Sequence, residues 1–284
     1  MTGHTLNKKT QTPYCFICGS TELLDLLTID RKPDYETDYH ISPDQYHRKI
    51  YQCTSCHAYI NFHNLLDEDF YSGEYNRAIV SGTIEKRFYK IISLPESSSD
   101  NKQRVKRVVS FMDQIMPPTK RLWVLDIGSG TCVFPYEMKL KGYYTSCIDP
   151  DESAIRHAKN NVRVDHAHHG DIFNFRSECK YDLITFNKVL EHLKDPANHL
   201  KEASRYLNSK GIIYIELPEG DRIVNNNRIR ERAEFAIEHY TIFNRSSIRK
   251  LADNCNMKII KDEVITDPSG KYTIFAFLSF NRRD

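Results

Sequence analysis

Long apolar runs are missing from this chain of 284 residues. No stretch approaches the roughly 18 consecutive apolar residues that a membrane span requires. The polar opening, Met1 to Thr12, has no apolar core of the kind a secretory leader carries. Charge of one sign is missing too. The formal net charge is +2, with positive and negative residues intermixed, so the basic stripe or tail of a nucleic-acid binder is not there. Internal repeats are absent as well. These gaps predict a cytoplasmic protein that neither enters a membrane nor needs a polyanionic partner. What remains is ordinary for a soluble globular chain: 40% apolar and 27% charged residues, enough for one medium domain with a small partner.

In a reducing compartment disulfides are rare, so the eight cysteines need another explanation. Four form two tight pairs, in Cys15-Phe16-Ile17-Cys18-Gly19 and Cys53-Thr54-Ser55-Cys56. Four thiolates make a closed tetrahedral zinc site of the structural kind, and Gly19 lets the backbone fold back toward the sulfurs. Cys53-Thr54-Ser55-Cys56-His57 also fits a c-type haem attachment, but that needs export and leaves the first pair unexplained. A redox pair would sit in a thioredoxin-like βαβ pattern, which is not found. Cys132, Cys147, Cys179 and Cys255 stand singly among apolar neighbours, as small core residues do.

The pattern changes twice along the chain. Residues 1–76 are rich in Cys, Tyr, Asp and Pro and are expected to form a small zinc-ribbon-like module. Residues 77–118 read as a helical connector, with Ile84, Phe88, Ile91 and Ile92, then Val105, Val108, Val109 and Met112, recurring three or four apart. Leu94-Pro95 and the polar run after it split the connector into two helices. Strands and helices alternate over 119–284. Strands are expected at Arg121–Ile127, Tyr143–Asp149, Val162–His166, Tyr181–Asn187 and Gly211–Leu217. Helices are expected at Cys132–Lys141, Glu152–Asn160, Pro196–Leu207 and Ser246–Asn254. Two last strands, Lys258–Val264 and Tyr272–Phe280, flank the turn Asp267-Pro268-Ser269-Gly270. This predicts an α/β fold: a doubly wound seven-stranded sheet, mostly parallel, with a C-terminal antiparallel hairpin.

Val124-Leu125-Asp126-Ile127-Gly128-Ser129-Gly130 is a strand running into Gly-x-Gly at the start of a helix, where a cofactor can approach the backbone near the positive helix end. Val133 stands where a dinucleotide fingerprint wants a third glycine, and Asp149 closes the next strand where a carboxylate can take ribose hydroxyls. From the residues alone, this is a site for a nucleoside-containing ligand. The segment resembles motif I of class I S-adenosylmethionine-dependent methyltransferases, with Cys132 in place of the usual last glycine. The resemblance implies that Asp126, Gly128, Ser129 and Gly130 shape the methionine end and that Asp149 holds the ribose. It also implies that Asp171 and Ile172, in Gly170-Asp171-Ile172, meet the adenine. Tyr181 to Pro196 is similar to the family's fourth-strand segment, which puts Asn187 beside the sulfonium. The paired cysteines, the aromatic stretch Phe70 to Tyr75, the helices and then this core resemble bacterial deoxysugar C-methyltransferases. The resemblance is expected to stop short of the long extra C-terminal domain that those enzymes carry.

Methyl transfer from a sulfonium needs alignment above all, and a base when the acceptor must lose a proton. His192, just past the fourth strand, is one candidate. His239, beside Glu238 in the insertion where the family builds acceptor pockets, is the other, with Glu238 orienting it. The expected acceptor is a hydroxyl of a sugar or nucleotide-sugar. The alternatives are carbon methylation of a sugar, or an RNA or protein acceptor gripped by the zinc module. A homodimer is left open. The run Asn227 to Arg232 reads as a solvated face rather than a diphosphate clamp, and His166, His168 and His169 as surface residues that point apart.

Overall fold

A computed structural model describes residues 12–39, 41–43, 46–63, 83–116 and 120–280. The stretch Phe70 to Tyr75 and most of the N-terminal twelve residues lie outside them.

The larger sheet has seven strands in the order β10-β11-β8-β7-β4-β5-β6. These are β4 (Trp123–Ile127), β5 (Tyr144–Asp149), β6 (His166–His169), β7 (Tyr181–Asn187), β8 (Leu207–Pro218), β10 (Met257–Thr266) and β11 (Tyr272–Phe280). The pairs among β6, β5, β4, β7 and β8 are parallel, and β11 runs antiparallel to both β8 and β10. Alternation along a strand sorts side chains onto two faces. On β8 and β11, Ile213, Ile215, Ile274 and Ala276 enter one core, while Ile212, Tyr214, Phe275 and Phe277 enter the other. Helix α1 (Thr83–Ile92) and helix α2 (Asp100–Ile115) are separated by a single 3-10 turn, Glu96–Ser98. Ser99 caps α2 by accepting from the Lys102 amide, and Val105, Val108, Phe111 and Met112 of α2 fill the second core.

Helices α3 (Val133–Leu140), α4 (Glu152–His157), α5 (Pro196–Ser204), α6 (Asp221–Asn225) and α7 (Arg245–Asn254) complete the described helices. Two expected boundaries move. Helix α4 runs on as a π turn through Val162, which is buried against Phe88 and Ile155, and the chain leaves through Arg163 at φ +55°. The expected strand at Val162–His166 therefore begins only at His166, where pairing with Ser146 starts. The helix expected to reach Leu207 stops at Ser204, and Leu207 already pairs with Tyr181.

The second sheet has the order β1-β2-β3-β9. Strands β1 (Leu23–Ile29), β2 (Arg48–Cys53) and β3 (Tyr59–His63) come from the cysteine-rich region. The fourth strand, β9 (Thr241–Ile242), comes from the insertion after β8 and pairs antiparallel with Tyr59 and Ile60. Its neighbourhood carries a buried ion pair: Arg48 binds Glu36 and the Phe235 carbonyl, and Glu36 accepts from the Ile237 amide. Asn61 donates to the Ala236 carbonyl. Among the described residues no helix is long and apolar enough to cross a membrane.

Candidate active site

The strand order reverses at β4, which lies between β5 and β7, and a crevice opens outside the carboxyl ends of strands at such a point. The glycine turn sits there. Gly128 is at φ +69°, and a Cβ on it would fall 2.7 Å from Val189 Cγ2, so both conformation and space demand glycine. Its amide donates to the Ile148 carbonyl and the Gly130 amide to Asp149 Oδ2 at 2.7 Å. The other oxygen of Asp149 accepts from the Asp151 amide. Asp149 is thus pinned against the turn that it serves.

Asp126 ties β4 to β7. Its Oδ1 accepts from Thr185 Oγ1 at 2.6 Å and from Asn187 Nδ2 at 2.8 Å. Burial pushes its pKa up to about 7, against the pull of those two donors. Asn187 Oδ1 and Ser129 Oγ are buried with no protein partner, an arrangement that asks for a polar ligand. Asp171 closes an Asx turn by accepting from the Phe173 and Asn174 amides. The Ile172 side chain is buried in the core, which leaves only its main chain for a ligand. Cys132, at the departure from motif I, is left-handed (φ +55°), with its side chain buried among Phe88, Cys147 and Ile155. It therefore takes no space from the crevice.

The two expected histidines meet. His192 ends the 3-10 turn Leu190–His192, and its ring centroid lies 4.7 Å from that of His239, edge to face. Each ring binds a main-chain carbonyl through Nδ1: His192 to Glu238 at 3.2 Å and His239 to Glu234 at 2.9 Å. The partner that orients His239 is therefore the Glu234 carbonyl, not the Glu238 carboxylate, whose Oε2 is buried without a partner. Burial drives the His192 pKa down to about 3, with His239 adding to the shift, and burial drives His239 down to about 4.

A charged group that sequence reasoning left unassigned lies alongside. Buried Glu216 on β8 binds Arg104 (2.6 Å), Arg107 (2.8 Å) and Tyr214 Oη (2.6 Å). Burial alone would raise its pKa, but Arg104, Lys188 and Arg107 hold the carboxyl well below the usual carboxylate range. Lys188 is left-handed at φ +60°, and its Nζ donates to Thr273 Oγ1 at 2.6 Å. A glutamate in the apolar run Gly211 to Leu217, with arginines three apart on α2, was the available signal, since a buried charge needs partners.

The four expected zinc ligands also converge. One sulfur from each of Cys15, Cys18, Cys53 and Cys56 lies within 4.8 Å of the others, with Cys15–Cys56 at 3.4 Å and Cys18–Cys53 at 3.5 Å. The two knuckles close alike. Gly19 (φ +74°) and His57 (φ +61°) follow the second cysteine and donate to the Cys15 and Cys53 carbonyls. A four-thiol cluster fits a structural zinc ion and leaves no pair for haem. The arginine run is internally spent: Arg228 pairs with Glu231, Arg230 donates to the Thr28 carbonyl, and Arg232 binds Glu234.

Residues 87–262 match the family described as a methyltransferase domain. A ubiquinone biosynthesis O-methyltransferase of Nitrosomonas europaea is 24% identical over 113 residues, which is 37% of this chain and 48% of the relative. The chain thus spans about half the length of the curated relative that it matches. The fold is similar to that of magnesium protoporphyrin IX methyltransferase from Synechocystis (TM-score 0.56, 14% identity, 73% of this chain and 99% of that one). It is also similar to plantazolicin methyltransferase (0.55, 17%, 75% and 94%). A third similar structure is an S-adenosylmethionine-dependent methyltransferase from Clostridium acetobutylicum (0.52, 13%, 74% and 100%). At these identities the likeness is one of fold.

Proposed function

Because the chain belongs to the methyltransferase-domain family, we propose that it transfers the methyl group of S-adenosylmethionine to a hydroxyl of a small molecule, a sugar or nucleotide-sugar. One observation carries the reading: the turn Gly128-Ser129-Gly130 is held between two anchored carboxylates, Asp126 and Asp149, with the unpartnered Ser129 Oγ and Asn187 Oδ1 beside it. Those orphaned atoms and the open backbone fit the cofactor. When bound, it supplies a methyl group already activated by the sulfonium. Asp149 takes the ribose hydroxyls, Asp171 and the Ile172 amide the adenine, and Asn187 with the glycine turn the methionine end. The acceptor lies against His192 and His239, and its hydroxyl proton leaves at that pair. The four cysteines hold a structural zinc ion, within a module at residues 1–76 that is joined to the 119–284 core by the 77–118 connector.

Calorimetry with S-adenosylhomocysteine tests the cofactor half. Asp149→Ala should lose ~2 kcal/mol or more of binding through charge-assisted hydrogen bonds, and unchanged affinity would remove Asp149 from the ribose. A thermal-shift screen of nucleotide-sugars with the same ligand present tests the acceptor half. With an acceptor in hand, His239→Asn should cut turnover ~100-fold or more. Stabilisation by tRNA instead of any sugar would overturn the acceptor class.

A further inference from the structure

We infer that Glu191, His192 and His239 form a second metal site, a seat for one divalent transition cation at the acceptor end of the crevice. The inference rests on the reading of His192 and His239 as acceptor-facing. One ligand atom from each of the three residues lies within 4.8 Å of the others. Atoms that share a cation at about 2.0–2.2 Å stand roughly 3–4 Å apart, so small side-chain adjustments close the set.

Three further features mark a ligand set rather than a chance cluster. First, both rings give Nδ1 to a main-chain carbonyl. A carbonyl only accepts, so Nδ1 carries the proton in each ring and Nε2 is left with its lone pair. Metal-binding histidines are held in this way by their outer nitrogen. Second, Glu191 is 1% exposed, and its Oε2 has no hydrogen-bond partner. A buried carboxylate oxygen without a donor is costly unless something positive meets it. Third, Lys188 acts on Glu191 through its charge but is not seen to donate to it: its Nζ donates to Thr273 Oγ1, which itself donates to Asp267 Oδ2. Two imidazoles and one carboxylate suit Mn²⁺, Fe²⁺, Co²⁺ or Zn²⁺ better than Ca²⁺. Three protein ligands leave positions open, unlike the closed four-thiolate site. An acceptor oxygen would occupy one of them, where the cation would lower its pKa and fix its position for in-line transfer. With metal bound, the two rings would act as ligands in place of a base, and the acceptor's proton would pass to water.

Mn²⁺ is the probe, because it binds oxygen and imidazole rather than thiolate. Full-length protein, freed of loosely held metal by dialysis, is titrated with Mn²⁺ and followed by the loss of the free-ion electron paramagnetic resonance signal. Binding of S-adenosylhomocysteine is measured on the same samples. One Mn²⁺ per chain is expected, with affinity reduced ~10-fold or more in Glu191→Gln and in His239→Asn. Affinity for S-adenosylhomocysteine should be unchanged in both, which also shows that the variants fold. No saturable Mn²⁺ binding, or equal binding by both variants, overturns the site and leaves the cofactor reading standing. Failure to bind S-adenosylhomocysteine in the parent protein overturns the methyltransferase reading, whatever the Mn²⁺ titration gives.

Discussion

Asp126 shows what a single buried carboxyl does to this fold. Its pKa is raised to about 7, chiefly by burial, so the folded state prefers the protonated form while the unfolded chain ionises near 4. A group shifted upward stabilises the fold fully below its unfolded pKa, and that contribution is lost as pH rises through about 7. Asp126→Asn keeps an acceptor for Thr185 and Asn187 but cannot ionise. Thermal unfolding without ligand should therefore find the parent protein losing ground to this variant between pH 5 and pH 8. Parallel pH dependence of the two would place the titration elsewhere. At this scale much of the site was legible in the sequence. Gly128, Asp149 and the four cysteines carry spacing that only a turn, a strand end or a cluster explains. Glu234 was not legible, because it orients His239 with its main-chain carbonyl, and any residue type offers one.

Among the elements, the most consequential join is β3 with β9. Periodicity and turn residues in the sequence predicted a strand for each one in the large sheet, but β6 lies later than expected and β8 begins at Leu207, four residues before Gly211. β9 was invisible because two residues have no period, and its partners Tyr59 and Ile60 are far away in the chain. The neighbouring pair Arg48–Glu36 was equally hidden, since neither residue sits in an apolar run. Both side chains are fully buried, and each also binds the 235–237 main chain. Breaking such a pair leaves the partner charge stranded, at a cost of ~3 kcal/mol or more. Urea unfolding of Arg48→Met should show a loss of that size. A loss below ~1 kcal/mol would mean that the pair is a bystander, and that β9 and the apolar contacts of Tyr59, Phe235 and Ile242 join the two sheets unaided.

For the whole molecule, the cysteine cluster and the insertion after β8 form one structure. Cys15, Cys53, Cys56 and Ile60 lie in the same core as Leu125, Ile215 and Phe243, and Asn244 donates to the His57 carbonyl inside the second knuckle. Elemental analysis should find zinc at the four cysteines, lost in Cys53→Ser together with soluble expression. Stripping the zinc from the parent protein should speed hydrogen exchange in 233–243 while the amides of β4 and β5 stay protected. Unchanged exchange in 233–243 would show that the insertion stands without its neighbour. The same join also sets a schedule during synthesis. Asn244 lies 187 residues after His57, and ribosomes add about 5–20 residues per second. The first three strands therefore leave the ribosome with one edge unpaired, and stay so for some ten to forty seconds before β9 arrives. An exposed edge is a template for stray strands, so a nascent-chain chaperone, or early capture of zinc by the knuckles, would guard this protein during the interval in which the last strand of its smaller sheet has yet to be made.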